Sequence, residues 1–189
     1  MRRFYAGPGG APATRPYVES DVYANLSAIE PGEWRALIRR HLEGLGPQAL
    51  LAGLESSGWR LAYSAEKNSY IESEEKRHKS LERQWSIGLR LNDKGVILDT
   101  IEDRAAARAG AGPGMTVIAV NGREYRAEVL DAAIAAAQQT RTPIGLLVKI
   151  GGYYRTLAVA YFDGARFPHL TRIAGHADIL SEVLKARRG

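Results

Sequence analysis

The sequence predicts an α+β fold, a mainly helical segment followed by a strand-rich region, and three observations carry that expectation. Apolar residues recur at helical spacing before residue 45. Between residues 85 and 122, short apolar runs alternate with glycine-bearing turns. Later, two strand-like runs flank Gly151-Gly152, which is a hairpin signal.

The 189 residues fall between one and two domains at roughly 150 residues each, enough to bury a core. An apolar share of 45% is that of an ordinary globule. With no cysteine, disulfides, thiolate metal sites and a cysteine nucleophile are excluded. No run approaches the ~20 apolar residues that span a bilayer, so a soluble chain with no membrane partner is expected. Met1-Arg2-Arg3-Phe4 reaches Gly7 and Pro8 too soon for a signal-peptide core. The compartment is left open.

A net charge of +5 and a pI near 9.6 favour an anionic partner. Yet Glu72, Glu74, Glu75 and Glu82 are interleaved with Lys76, Arg77, Lys79 and Arg83, which dilutes any single-sign field. No nucleic-acid-binding module accompanies the charge, so nucleic acid is not an expected partner.

Residues 1–19 are rich in glycine and proline and read as irregular. Ser20 or Asp21 caps a short helix carrying Val22, Leu26 and Ile29, which Pro31-Gly32 breaks. A second helix spans about residues 33–45, with Trp34, Leu37, Ile38 and Leu42 on one face, and Gly44 and Gly46-Pro47 end it. Leu50, Leu51 and Leu54 allow a third. Residues 59–63 then alternate as a strand does, with no obvious partner nearby. These elements make a thin core by themselves, and residues 1–65 read as the end of a larger domain. Residues 66–84 are polar, with Tyr70, Ile71 and Leu81 as apolar anchors, and read as a connector or an exposed helix.

Trp85-Ser86-Ile87-Gly88-Leu89-Arg90-Leu91 reads as a strand, and a turn at Asn92-Asp93-Lys94-Gly95 leads to a second over residues 96–101. An alanine-rich helical turn at 103–109, the run Gly110-Ala111-Gly112-Pro113-Gly114 and a third strand ending at Val120-Asn121-Gly122 follow. The glycine run lies between a helical turn and a strand, the reverse of a phosphate-binding loop. Residues 127–138 predict a strong helix with a stripe of Val129, Leu130, Ala133, Ile134 and Ala137. The hairpin strands are 144–150 and 153–161, Asp163-Gly164 turns the chain out, and a short helix at 178–185 follows Phe167-Pro168-His169.

Two sets of blocks carry a family resemblance. Asp103-Arg104-Ala105-Ala106-Ala107-Arg108-Ala109-Gly110-Ala111-Gly112-Pro113-Gly114, followed by Val120-Asn121-Gly122-Arg123, resembles the PDZ pattern of bacterial proteases. It departs from that pattern at Arg104-Ala105, where Ser-Pro is usual, and at Ala111, where leucine is usual. Leu54-Glu55-Ser56-Ser57-Gly58-Trp59-Arg60-Leu61, Ser86-Ile87-Gly88-Leu89 and Tyr161-Phe162-Asp163-Gly164-Ala165-Arg166-Phe167-Pro168-His169-Leu170 are similar to the C-terminal part of the glycyl aminopeptidase family of zinc metallopeptidases.

The resemblance implies a PDZ-like, partly open β-barrel or sandwich capped by two helices and preceded by a mainly helical segment. The implied domains are 1–65, a helical remnant of a peptidase domain; 66–84, a connector; 85–165, PDZ-like; and 166–189, a tail with a short helix. It implies zinc held by a His-Glu-x-x-His helix, a motif that this chain lacks: His41, His78, His169 and His176 do not have that spacing. No cofactor is therefore expected in this chain, and the zinc site is expected in a catalytic part before residue 1. The chain reads as a non-catalytic C-terminal fragment, with the missing N-terminal peptidase domain as one partner; the alternative is an independent PDZ adapter. No serine-histidine pair or carboxylates paired with a histidine support an enzyme in its own right. Residues 1–65 are also a candidate for self-association.

For the site, the resemblance implies an extended peptide or protein C-terminus added as a strand between a sheet edge and a helix, its carboxylate held by backbone N–H groups. The candidate residues are Trp85, Ser86, Ile87, Gly88 and Leu89, with donors from Ser86 to Gly88. Val129 and Ala133 are expected on the opposite helix wall, while Leu130 and Ile134 face the core. Arg83 is placed to add positive charge near the carboxylate. The alternatives are that Gly88 only permits close packing, that Trp85 packs on residues 1–65, and that the domain is a rigid companion to a catalytic one.

Overall fold

A computed structural model describes residues 16–44 and 48–186 of the chain. In α1 (Glu19–Ile29), the Asp21 carboxylate accepts the Val18 N–H at 3.0 Å, so Ser20 and Asp21 lie inside the helix, not before it. After Pro31-Gly32 come α2 (Trp34–Glu43) and α3 (Gln48–Ser56). The expectations for residues 1–15 and for Gly46-Pro47 lie outside the described residues. Strand β1 (Trp59–Ser64) leads to α4 (Ser69–His78), where the Asn68 side chain accepts the Ile71 N–H at 2.9 Å. Lys79 ends α4 in the left-handed region, φ 48°, and redirects the chain into β2 (Ser80–Arg83).

Strands β3 (Leu89–Asn92) and β4 (Ile97–Thr100), the single turn α5 (Ala105–Arg108), β5 (Thr116–Val120) and the two-residue β6 (Arg123–Glu124) follow. Then come α6 (Ala127–Thr140), whose alanines favour helix, the hairpin β7 (Ile144–Ile150) and β8 (Tyr153–Val159), β9 (Phe167–Arg172) and α7 (Ile179–Leu184).

The chain divides into two units, Met1–Trp59 with Ile173–Gly189, and Arg60–Arg172. In the first, α1 and α2 bury no residue. Its chain ends meet through the Trp59 indole N–H, which donates to the Asp178 carboxylate at 2.7 Å, and the Ile173 N–H, which donates to the Gly58 carbonyl.

The second unit holds the sheets β1-β9, β2-β3-β4 and β6-β5-β7-β8. The partner that β1 lacked nearby in sequence is β9, so residues 167–172 belong to this unit and not to a tail. These sheets are open, where a partly open barrel or sandwich was expected. The three- and four-stranded sheets meet through the Val96–Thr116 bridge and the Ile97 N–H on the Met115 carbonyl, too short a seam to close a barrel. Leu89, Leu91, Ile97, Val117, Leu130, Ile134, Leu146 and Val148 are fully or almost fully buried in one core, each contributing roughly 1.5–3 kcal/mol. Among the described residues, no helix is long and apolar enough to cross a membrane.

Residues 66–84, read as a connector or an exposed helix, hold a helix, α4, that buries Ile71 alone and then a buried strand, β2. The segment reads as solvated because it is charged, and Glu72, Lys76, Arg77 and Lys79 are exposed, but Glu82 and Arg83 are buried and paired.

Candidate functional site

The chain leaves β2 at Arg83, turns over residues 84–88 and enters β3 at Leu89. The strand expected from Trp85 thus begins four residues later, because Gly88 takes φ +85°, outside the extended region. Ser86, Ile87, Gly88 and Leu89 are buried and Trp85 is half-buried. The N–H groups of Ser86 and Gly88 donate to a single oxygen, the Arg83 carbonyl, at 3.2 and 3.0 Å. On its other side the turn is pinned by the Ile101 N–H on the Gly88 carbonyl and the Ala106 N–H on the Ile87 carbonyl, at 3.0 and 2.9 Å.

Strand β3 has neighbours on both edges. One edge carries β4, from Leu89 opposite Thr100 to Leu91 opposite Ile97. The other carries β2, antiparallel, from Ser80 opposite Asn92 to Arg83 opposite Leu89. The edge expected to take an added peptide therefore already holds four residues of the same chain. Leu81 enters the core, and Arg83, two residues on, points to the same side as a strand requires. On the alternate side the Glu82 carboxylate accepts from Arg90 Nε at 2.8 Å and from the Ser80 hydroxyl at 3.0 Å.

Arg83 is the centre of the site, with its side chain 1% exposed. Its Nε and Nη2 donate to the two carboxylate oxygens of Asp131 on α6, at 2.6 and 2.7 Å, and its Nη1 donates to Glu75 on α4 at 2.8 Å. The guanidinium also lies 5.2 Å from the centre of the Phe167 ring. Burial opposes the charge, but the hydrogen bonds and attraction of Asp131, then of Glu75, outweigh it and hold the Arg83 pKa above its usual value. Arg83 was expected to lend its charge to a carboxylate terminus; here that charge is taken up by two side-chain carboxylates.

The helix residue that reaches β2 is Asp131, where Val129 and Ala133 were expected. Ala133 is buried in the core and Val129 packs against it half-buried, because the buried stripe of α6 includes Leu130, Ala133, Ile134 and Ala137. Asp131 borders that stripe. Its signal is legible in retrospect: it is the lone charge between Val129 and Thr140 in an alanine-rich helix. Near it, burial foremost pushes the Tyr125 hydroxyl up to about 12, with Asp131, Asp93 and Glu128 adding and Arg83 opposing. A cavity of about 490 Å³ opens at the amino end of β2, lined by Lys79, Ser80, Leu81, Asp93, Tyr125 and Glu128 among others.

No protein-family model matches the chain, and no curated protein matches it. Among solved structures it is similar to a crystal structure of the HtrA3 PDZ domain bound to a phage-derived ligand, FGRWV. The identity is 15%, the match covers 62% of this chain and 96% of that one, and the TM-score of 0.29 is too low to add to the description of the fold.

Proposed function

We propose that residues 60–172 form a PDZ-like, strand-accepting module that holds an extended polypeptide end between β3 and α6. The observation that carries the reading is the convergence of the Ser86 and Gly88 N–H groups on one oxygen at the end of the strand added to β3. A peptide carboxylate placed there presents oxygen to the same donors with a full negative charge, which strengthens each bond. The order β3, β4, short helix, β5, β6, α6, β7, β8 supports the same reading. On it, main-chain pairing along β3 supplies affinity and α6 supplies selectivity. The wider proposal, that the module sits in the C-terminal part of a glycyl aminopeptidase-like protein, rests on the sequence blocks quoted above and is independent of the groove.

The test is an amide-shift titration of the chain with a hydrophobic peptide carrying a free C-terminus and with its C-terminal amide. The expected result is a response at Ser86, Gly88 and Arg90 to the free acid at concentrations where the amide produces none. Equal responses to both peptides would contradict carboxylate recognition.

A further inference from the structure

We infer that β2 is the resident ligand of this groove and that Asp131 sets its selectivity, so that the groove takes an extended strand with an aliphatic residue two positions before a basic one. The inference rests on the strand-accepting reading and specifies the ligand class for the same site.

The way β2 is seated argues for it. Among the described residues, the buried polar or charged side chains are Ser80, Glu82, Arg83 and Ser86, all within one seven-residue stretch. The surrounding core is apolar. In β2 Leu81 alone joins the apolar core cluster; Glu82 and Arg83 are held by ion pairs with Arg90, Glu75 and Asp131, with the Phe167 ring beside Arg83. Even where its partners hold a buried guanidinium charged, a buried ion pair is often no more stabilising than apolar side chains of similar volume, so a strand seated this way is more readily exchanged than one seated by leucine and valine. A competing strand with the same Leu-x-Arg spacing offers identical partners: β3 for its backbone, the core for its aliphatic side chain, Asp131 for its guanidinium and the Ser86 and Gly88 N–H groups for its last oxygen. The bidentate geometry at Asp131 favours arginine over lysine, and repels an acidic residue.

The test uses the full chain and a synthetic hexapeptide of the sequence His-Lys-Ser-Leu-Glu-Arg, matching residues 78–83, with a free C-terminus. A second peptide replaces its final arginine by glutamate. Because the chain has no cysteine, Glu82→Cys with Arg90→Cys introduces a single cross-strand disulfide that locks β2 onto β3 when oxidised and releases it when reduced. The expected result is binding of the arginine peptide to the reduced variant and to the wild type, at least tenfold weaker binding of the glutamate peptide, and loss of binding on oxidation. Equal binding to the oxidised and reduced forms overturns the displacement of β2. Equal affinity for the two peptides overturns the role of Asp131 and leaves the strand-accepting reading intact. If neither peptide binds, hydrogen exchange separates the causes. Ser80 to Arg83 amides that exchange only on global unfolding overturn β2 as a ligand. Amides that exchange well before global unfolding, still without binding, overturn the strand-accepting reading as well.

Discussion

Arg83 and Asp131 are joined by two parallel hydrogen bonds, 2.6 and 2.7 Å long, between a guanidinium that is 1% exposed and a carboxylate that is 44% exposed. The residues lie 48 positions apart, and their pairing places β2 on the side of β3 that faces α6.

Asp131→Ala removes both bonds and leaves Arg83 with Glu75 as its carboxylate partner. Breaking a wholly buried pair costs roughly 3–5 kcal/mol and an exposed one under about 1. With Asp131 partly in solvent and Glu75 retained, urea unfolding is expected to show a loss of about 1–2 kcal/mol. No change would mean that the pair does not form in solution.

Arg90→Ala breaks the pair on the opposite side of β2, where the arginine side chain is 40% exposed. Solvent screening limits the effect, and the same unfolding experiment is expected to show less than about 1 kcal/mol. A larger loss than that of Asp131→Ala would reverse the ranking of the two contacts.

Gly88→Ala is expected to cost more than about 2 kcal/mol, because left-handed backbone strain adds to a steric clash. The new Cβ would lie 2.3 Å from Arg104 Cβ, an atom fixed by its own backbone. Arg104→Gly in the same chain should restore part of the loss, which thermal unfolding of the two variants would reveal.

Tyr125 supplies a pH signature. Its hydroxyl is pushed up to about 12 from 10.0 by burial, so in the folded chain it keeps its proton after the unfolded chain has lost it. Between pH 10 and 12 the unfolded state binds fewer protons, and stability falls as pH rises. Absorbance titration of the phenolates should show a late transition that Tyr125→Phe removes; a transition near 10 for Tyr125 would contradict its burial.

Much of the second unit was legible in the sequence, because its elements obey local rules. The α6 stripe, the hairpin around Gly151-Gly152 and the strands β4 and β5 all follow from periodicity and turn chemistry. What was hidden depends on distant partners. The charges of Glu82 and Arg83 look solvated along the chain and are buried where Arg90, Asp131 and Glu75 meet them. β9 looked like a tail because β1, its partner, lies more than 100 residues earlier: Thr171 and Arg60 alone are separated by 111. Residues 85–88 read as strand because Trp85 and Ile87 alternate ahead of Leu89 and Leu91, whereas the positive φ of Gly88 is a property of the folded backbone. For the same reason the Ser86 and Gly88 donors were legible as candidates, while their present acceptor was not.

The most direct measurement is the scalar coupling across the hydrogen bond from the Gly88 amide nitrogen to the Arg83 carbonyl carbon in the uniformly labelled chain, read with the cross-strand contacts of Leu81 and Leu91. The arrangement described here predicts a resolved coupling and a slowly exchanging Gly88 amide, with Leu81 opposite Leu91. A Gly88 amide that exchanges freely, with no coupling and no contact between Leu81 and Leu91, would contradict the placement of β2 in the groove.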